Sequence, residues 1–428
     1  VIAPLLAVFL AGNLPLAVHA EQTEMENAQM ENAGQKAKTE MPFSARVYGP
    51  GEENLSASDP YARYQWGLKN DGELQYVEIQ NKFENSNPEL AKRIDLANYL
   101  GIPAPVSGPD AYYQATITSV KGIDINILPA WELYDQDTTS ERRNVTVAVI
   151  DTGININHPD LKDSIWTNEG EIPGDGIDND GNGYVDDVHG WNFFNNTNLI
   201  YVGKEDDHGT HGAGTIAGSR GKDGIAGIAD NKYVKIMPVK VLGTDYGLGE
   251  EDAVIQAIEY AEANGASICN LSFGTTTYYP HLEQVMKDSK MLFVVSAGNG
   301  DSAGKGINID ETPDYPSGFD CDNIISVANL IFDGNLEASS NYAGMDIAAP
   351  GTYIVSTVTD GYGFMSGTSM AAPMVTGVAA FLYSYRTDLE LKDVRDVILN
   401  SARKLDTLTD KVACGGMLDA YSAITYGK

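Results

Sequence analysis

Four polar side chains sit where strands end or helices begin, each among glycines. Asp151 follows the apolar run Asn144–Ile150 and opens Asp151-Thr-Gly. His208 opens His208-Gly-Thr-His211-Gly-Ala-Gly, a run that leads into a helix. Asn299 stands in Ala297-Gly-Asn-Gly300, and Ser369 in Gly367-Thr-Ser-Met-Ala-Ala-Pro373 at a helix start. Each has a plain structural alternative when taken alone. Asp151 reads as a turn cap, His208 as a core histidine, Asn299 as a turn residue accepting positive φ, and Ser369 as an N-cap. Taken together they supply a nucleophile, a base, a group that orients the base, and an amide donor for a developing oxyanion.

A second group of side chains suits a hard cation. The stretch Asp175-Gly-Ile-Asp178-Asn-Asp180-Gly-Asn182-Gly-Tyr184-Val-Asp186-Asp187 alternates oxygen-bearing side chains with small residues. Asp178, Asp180 and Asn182 fall at the first, third and fifth positions of an EF-hand-like loop. Gly183 stands at its sixth position and the Tyr184 carbonyl at its seventh. Asp186 or Asp187 would close the sphere, because the acidic residue at the twelfth position is missing. The alternative is a solvated acidic loop. Oxygen donors without His or Cys point to structural Ca²⁺ and away from zinc.

The elements that must position these groups alternate along the chain. Short β-branched runs at Asn144–Ile150, Val234–Val241, Ser267–Leu271, Met291–Ser296 and Asn323–Val327 read as buried parallel strands. Helical stretches lie at Gly212–Gly218, Glu251–Asn264, Tyr279–Lys290, Ser369–Tyr385 and Leu391–Ser401, and a surface helix at Met417–Tyr426. The alternation predicts an α/β fold with a mostly parallel central sheet covered by helices on both faces. In such sheets function gathers at the carboxyl ends of strands.

At this level of detail the segments Val147-Ala-Val-Ile-Asp151-Thr-Gly, His208-Gly-Thr-His-Gly-Ala-Gly-Thr-Ile-Ala-Gly218 and Ser366-Gly-Thr-Ser369-Met-Ala-Ala-Pro373 resemble the three signatures of the subtilisin-like serine proteases. The chain order Asp, His, Ser is theirs too. The likeness runs from about residue 59 to the C-terminus. Tyr64-Gln-Trp-Gly-Leu-Lys-Asn70 and Gly122-Ile-Asp-Ile-Asn, with Pro129-Ala-Trp131, resemble the opening segments of bacterial members. The resemblance implies the family's three-layer fold and a secreted endopeptidase working through an acyl-enzyme. Ser369 would be the nucleophile, His208 the general base and acid, Asp151 its orienter, and Asn299 the oxyanion donor; His211 would have no catalytic part. Substrate backbone would pair between Leu242–Gly249, with Gly243 and Gly247, and Asn270–Gly274, with Ser272 and Gly274. The resemblance also sets Asp314, before Tyr315-Pro316, near the base of the S1 pocket, where a carboxylate would favour Arg or Lys at P1. The alternative for Asp314 is a solvated turn residue. Many family members carry a similar acidic insertion ahead of the catalytic His. A further family calcium loop would be Ser219–Ala226, but Gly221 replaces its amide ligand and Arg220 and Lys222 bring positive charge, leaving Asp160 as a remnant.

Composition sets the outer bounds. The 428 residues hold 28 basic and 60 acidic side chains, a net charge of −32. That charge excludes a generic phosphate-backbone binder and disfavours anionic membranes. Hydrophobic residues make up 43%, enough for a large core. Residues 1–20 are largely apolar and end Ala17-Val-His-Ala20, the pattern of a signal-peptidase site, so export is expected. Residues 21–58 read as a polar linker or short pro-segment, with Met25-Glu-Asn-Ala repeated at Met30. The peptidase domain is expected over 59–428, with an insertion at about 72–119 whose middle, Pro88–Leu100, reads as a helix. Residues 21–58 are too short and polar for the inhibitory pro-domain that secreted family members usually carry. Cys269, Cys321 and Cys414 are too few for a disulfide framework, and none lies in a catalytic motif. Cys321 and Cys414 could pair. A monomer acting on proteins or peptides is expected. Two other readings are a catalytically silent binding protein on the same fold and a carboxyl-type serine protease of the sedolisin kind. All four reactive positions are filled, against the first. The second needs a Glu and an Asp where His208 and Asn299 stand.

Overall fold

The computed structural model describes residues 59, 61–72, 75–81, 112–222, 224–243, 251–301 and 304–428. The expected signal peptide at 1–20, the linker at 21–58, the helix at 88–100 and Gly247 lie outside the described residues. Strands β1 (Gln75–Asn81) and β2 (Tyr112–Thr118) form an antiparallel ribbon at the two ends of the expected insertion.

The main sheet contains β3 (Val145–Asp151), β4 (Trp191–Asn192), β5 (Val234–Lys240), β6 (Ile268–Leu271), β7 (Leu292–Ser296), β8 (Ile324–Leu330) and β9 (Ile347–Pro350). A separate hairpin, β10 (Ile354–Val358) with β11 (Gly361–Met365), follows. The short strands β12 (Arg403–Lys404) and β13 (Gly416–Met417) complete the main sheet. Its order is β12-β13-β9-β8-β7-β6-β3-β5-β4, and every neighbouring pair is parallel except β12 with β13. The helices are α1 (Ile127–Gln136), α2 (Asp207–Ala217), α3 (Glu251–Ala263), α4 (Pro280–Asp288), α5 (Thr368–Tyr385), α6 (Leu391–Asn400) and α7 (Ala420–Thr425).

Strand alternation explains the two covered faces. Val147 and Val149 of β3 join a core with Ile216 of α2, Val375 of α5 and Val394 of α6. Ala148 and Ile150 point the other way, into a core with Val254 and Ile258 of α3 and Met286 of α4. Leu292 and Val294 of β7 side with the first core, Phe293 and Val295 with the second. A strand buried on both faces has no polar side to show, so the runs read as continuously apolar. Each such side chain contributes about 1.5–3 kcal/mol of burial.

The observed elements match the expected architecture of a mostly parallel sheet with helices on both faces. Three local readings change. Helix α2 starts at Asp207 rather than Gly212, so His208 lies in its first turn. Glycine lowers helix propensity, but here it meets a packing demand: a Cβ on Gly209 would stand 2.3 Å from the Gly153 carbonyl oxygen. Strand β9 was not expected, being four residues long and ending in proline. Residues 416 and 417 are strand, and the last helix is only α7. Among the described residues, no helix is long and apolar enough to cross a membrane.

Candidate active site

Asp151 is the final residue of β3 and is buried. Its Oδ1 accepts from the backbone N–H of Thr152 at 2.6 Å. His208 Nδ1 lies 2.8 Å from Asp151 Oδ1 and 3.0 Å from Oδ2. An ionised carboxylate only accepts, so Nδ1 carries the proton and the neutral ring keeps its lone pair on Nε2. Thr152 ties strand to helix, its Oγ1 accepting from the Gly209 N–H at 3.0 Å.

Ser369 is the second residue of α5. Its Oγ donates to the Ser272 carbonyl at 3.0 Å. Ser272 follows β6, and Ile150 of β3 pairs with Leu271 of β6. Asp151 and Ser272 each come directly after that pair, at the carboxyl ends of adjacent strands. Helices α2 and α5 pack together. Gly212 and Pro373 mark their contact, with 3.5 Å from a Cβ built at Gly212 to Pro373 Cγ. Those residues lie one turn beyond His208 and Ser369, on the same helix faces. Asp151, His208 and Ser369 thus share one rim.

Asn299 follows β7 and reaches the start of α5. Its Oδ1 accepts from the Thr368 N–H at 2.9 Å and the Thr368 hydroxyl at 3.1 Å. Thr368 Oγ1 in turn accepts from the Gly298 N–H. With Oδ1 so held, Nδ2 must point away, and it is buried without a hydrogen bond among the described residues. His211 is different: its Nε2 lies 2.8 Å from the Ile354 carbonyl oxygen of β10. Complete burial lowers its pKa to about 4, so it is neutral.

Asp314 is 5% exposed, and its Oδ1 has no hydrogen-bond partner among the described residues. It lies between the segments after β6 and β7. A Cβ on Gly274 would meet its Oδ1 at 2.4 Å, and one on Gly298 its Oδ2 at 3.1 Å. Only glycine leaves room for this carboxylate. Burial pushes its pKa up to about 7, opposed by a backbone hydrogen bond from Thr275. The solvated-turn alternative does not describe this buried side chain. On the other expected substrate edge, Gly243 follows β5 and carries the Phe194 ring against it, so that a Cβ there would lie 2.2 Å from Phe194 Cε1.

The acidic loop folds around its own carboxylates. Asp178, Asp180 and Glu171 bring ligand oxygens within 4.8 Å of one another. Asp178 also accepts from the amides of Gly181, Asn182 and Gly183. Asn182 Nδ2 donates to Asp180 and Asp187, each at 3.1 Å. Tyr184 packs its ring against Trp191, Phe193 and Tyr260. Asp187 is fully buried and accepts from Tyr260 Oη at 2.6 Å and Asn168 Nδ2 at 2.9 Å. Burial raises its pKa. Three converging carboxylates and no nitrogen or sulfur donor fit a hard divalent cation. Glu171 escaped the sequence reading because it lies outside the alternating run.

At the second loop, Asp59 accepts from the amides of Gly221 and Lys222 at 2.7 and 2.9 Å. Arg220 pairs with Asp135 and Lys222 with Asp163. Asp160 accepts from the Ile225 N–H at 3.0 Å, and burial raises its pKa to about 6. A buried ion pair, Lys240 with Asp206 at 2.7 Å, stands behind Thr152 and was also missed. No rule of spacing joins a strand lysine to an aspartate 34 residues earlier. The three cysteines are free thiols, with Cys269 and Cys321 buried.

Comparison with known proteins identifies the family. Residues 142–416 match the Subtilase family. Subtilisin-like protease 1 of Plasmodium berghei is 35% identical over 322 residues, covering 71% of this chain and 53% of the relative. The chain thus spans about half the length of that relative. Thermitase of Thermoactinomyces vulgaris is 32% identical over 303 residues, covering 69% of this chain and 92% of thermitase. Among solved structures, fervidolysin from Fervidobacterium pennivorans, described as a keratinolytic enzyme related to subtilisin, aligns with a TM-score of 0.54 at 25% identity. That alignment covers 70% of this chain and 44% of fervidolysin.

Proposed function

The chain belongs to the subtilase family, and from that premise we propose that it is a serine endopeptidase that prefers Arg or Lys at P1. The observation that carries the reading is the buried hydrogen bond of His208 Nδ1 to Asp151 at the carboxyl end of β3, with Ser369 Oγ held by the carbonyl of Ser272 just beyond the neighbouring strand β6. Ser369 Oγ attacks the scissile carbonyl as His208 Nε2 takes its proton. Asp151 holds the Nδ1 tautomer and stabilises the imidazolium. The tetrahedral oxyanion accepts from Asn299 Nδ2 and the Ser369 backbone N–H, with the N-terminal end of α5 adding a favourable dipole. His208 then returns the proton to the leaving amine, giving the acyl-enzyme. Water, deprotonated by His208, attacks that ester and releases Ser369. A burst of nitrophenol from a nitrophenyl ester near neutral pH, equal in amount to the enzyme, tests the scheme. No burst together with no peptide hydrolysis would overturn it.

Asn299 gives a graded check. Replacing it by alanine removes one preorganised donor and should lower kcat about a hundredfold with KM little changed, a loss of roughly 2.7–4 kcal/mol at most. A KM effect alone would reassign the residue to substrate binding.

The substrate peptide adds as a strand between the Gly243 and Ser272–Gly274 edges. Its P1 side chain reaches Asp314, where a guanidinium or ammonium would supply the partner that Oδ1 lacks.

We assign Ca²⁺ to the loop of Asp178 and Asp180, with Glu171, Asn182, Tyr184 and Asp187 as its surrounding groups; the ion would neutralise carboxylates that otherwise repel. Its part is structural, since no step of the reaction needs it. At about a hundred times its dissociation constant, such an ion adds roughly 2.7 kcal/mol to stability. EDTA should therefore lower Tm by about 3 °C, and Asp180→Asn should abolish that EDTA effect. An identical Tm with and without EDTA at low ionic strength would contradict the assignment.

A further inference from the structure

Helix α5 presents Ser369 on a first turn that lacks one of its own hydrogen bonds. A helical carbonyl ordinarily accepts from the N–H four residues on. For Ser369 that residue is Pro373, inside α5, which has no N–H and whose ring crowds the carbonyl. The Ser369 carbonyl accepts instead from Ser272 Oγ at 3.1 Å. Ser272 Oγ accepts from Asn270 Nδ2 at 2.9 Å. Asn270 Oδ1 accepts from Thr376 Oγ1 at 2.8 Å, the nearer of two acceptors for that hydroxyl, the other being the Ala372 carbonyl at 3.0 Å. All four residues are buried.

The donors run in one direction, from Thr376 through Asn270 and Ser272 to the carbonyl, so each bond polarises the next. The relay leaves α5 on one side of Pro373 and returns on the other. Ser272 holds Ser369 twice, because its own carbonyl accepts the Ser369 hydroxyl. Held at its carbonyl and at its hydroxyl, Ser369 has the direction of its side chain fixed relative to the first turn of α5.

We propose that Asn270, Ser272 and Thr376 are positioning residues, which together supply the hydrogen bond that Pro373 withholds and fix the turn that aims Ser369. The inference rests on Ser369 being the nucleophile.

The test is a double-mutant cycle read by the second-order rate of fluorophosphonate labelling and by kcat and KM. Ser272→Ala should slow labelling and lower kcat about tenfold, the scale of one hydrogen bond realised in the transition state, with KM within about twofold. Pro373→Ala restores an N–H four residues beyond Ser369. In that background Ser272→Ala should cost no more than about twofold. Thr376→Val, which keeps shape and removes the donor, should show a smaller loss with the same suppression, and it serves if Ser272→Ala does not fold. An equal loss in both backgrounds, or no loss in the first, overturns the inference. A wild-type enzyme that is not labelled at all overturns the reading of Ser369 instead.

Discussion

Ser369→Ala should remove peptide hydrolysis almost completely, lowering kcat by about 10⁴- to 10⁶-fold. The variant keeps Asn299 Nδ2 and the backbone N–H that would face the oxyanion, so it retains a small advantage over water. It loses the side-chain hydrogen bond to the Ser272 carbonyl, worth about 1 kcal/mol in stability. Its fold should therefore survive, and calorimetry beside the kinetics separates loss of chemistry from loss of structure. His208→Ala should cost a similar factor, and the double variant should be no worse than either single one, because the residues act as a unit. Additive losses, or a Ser369→Ala enzyme retaining more than about 1% of wild-type kcat, would contradict the scheme.

The second large effect concerns P1. Asp314→Ala should lower the ratio of kcat/KM for P1-Arg over P1-Phe peptides by about a thousandfold, since a desolvated charge partner is lost and an apolar cavity gained. An unchanged ratio would discard Asp314 as the specificity residue. The same carboxylate predicts a pH signature. Burial raises its pKa to about 7, so in the free enzyme it is ionised above that pH and neutral below it. The Arg/Phe ratio should rise as pH increases through about 7, and the ratio cancels any pH dependence common to both substrates. Stability should run the other way. Folding favours the protonated form, so the contribution of this group is full below its unfolded pKa near 3.9 and is lost as pH rises through 7. Asp314→Ala should flatten both dependences.

The catalytic candidates were legible because each carries a local mark: a strand end for Asp151, a glycine-rich helix start for His208, a serine ahead of a helix for Ser369. Their placement at one rim was not local. It depends on β3 lying between β5 and β6 and on α2 crossing α5 at Gly212 and Pro373. The sheet was legible for a related reason, since strands buried on both faces must be continuously apolar. Glu171 was not, because its carboxylate reaches Asp178 and Asp180 only after the chain doubles back. The same holds for Lys240 and Asp206, which look like ordinary surface charges until the fold buries both. Asp314 was legible only by analogy; its burial between two glycines is a property of the packed segments after β6 and β7.

The most direct test of the central claim is to treat the enzyme with a fluorophosphonate at neutral pH and map the adduct by peptide mass spectrometry. The account predicts one adduct, on the peptide bearing Ser369, forming at least about a hundredfold more slowly in His208→Ala. An adduct on another residue, or an undiminished rate without the imidazole, would show that these side chains do not form one proton-relaying unit.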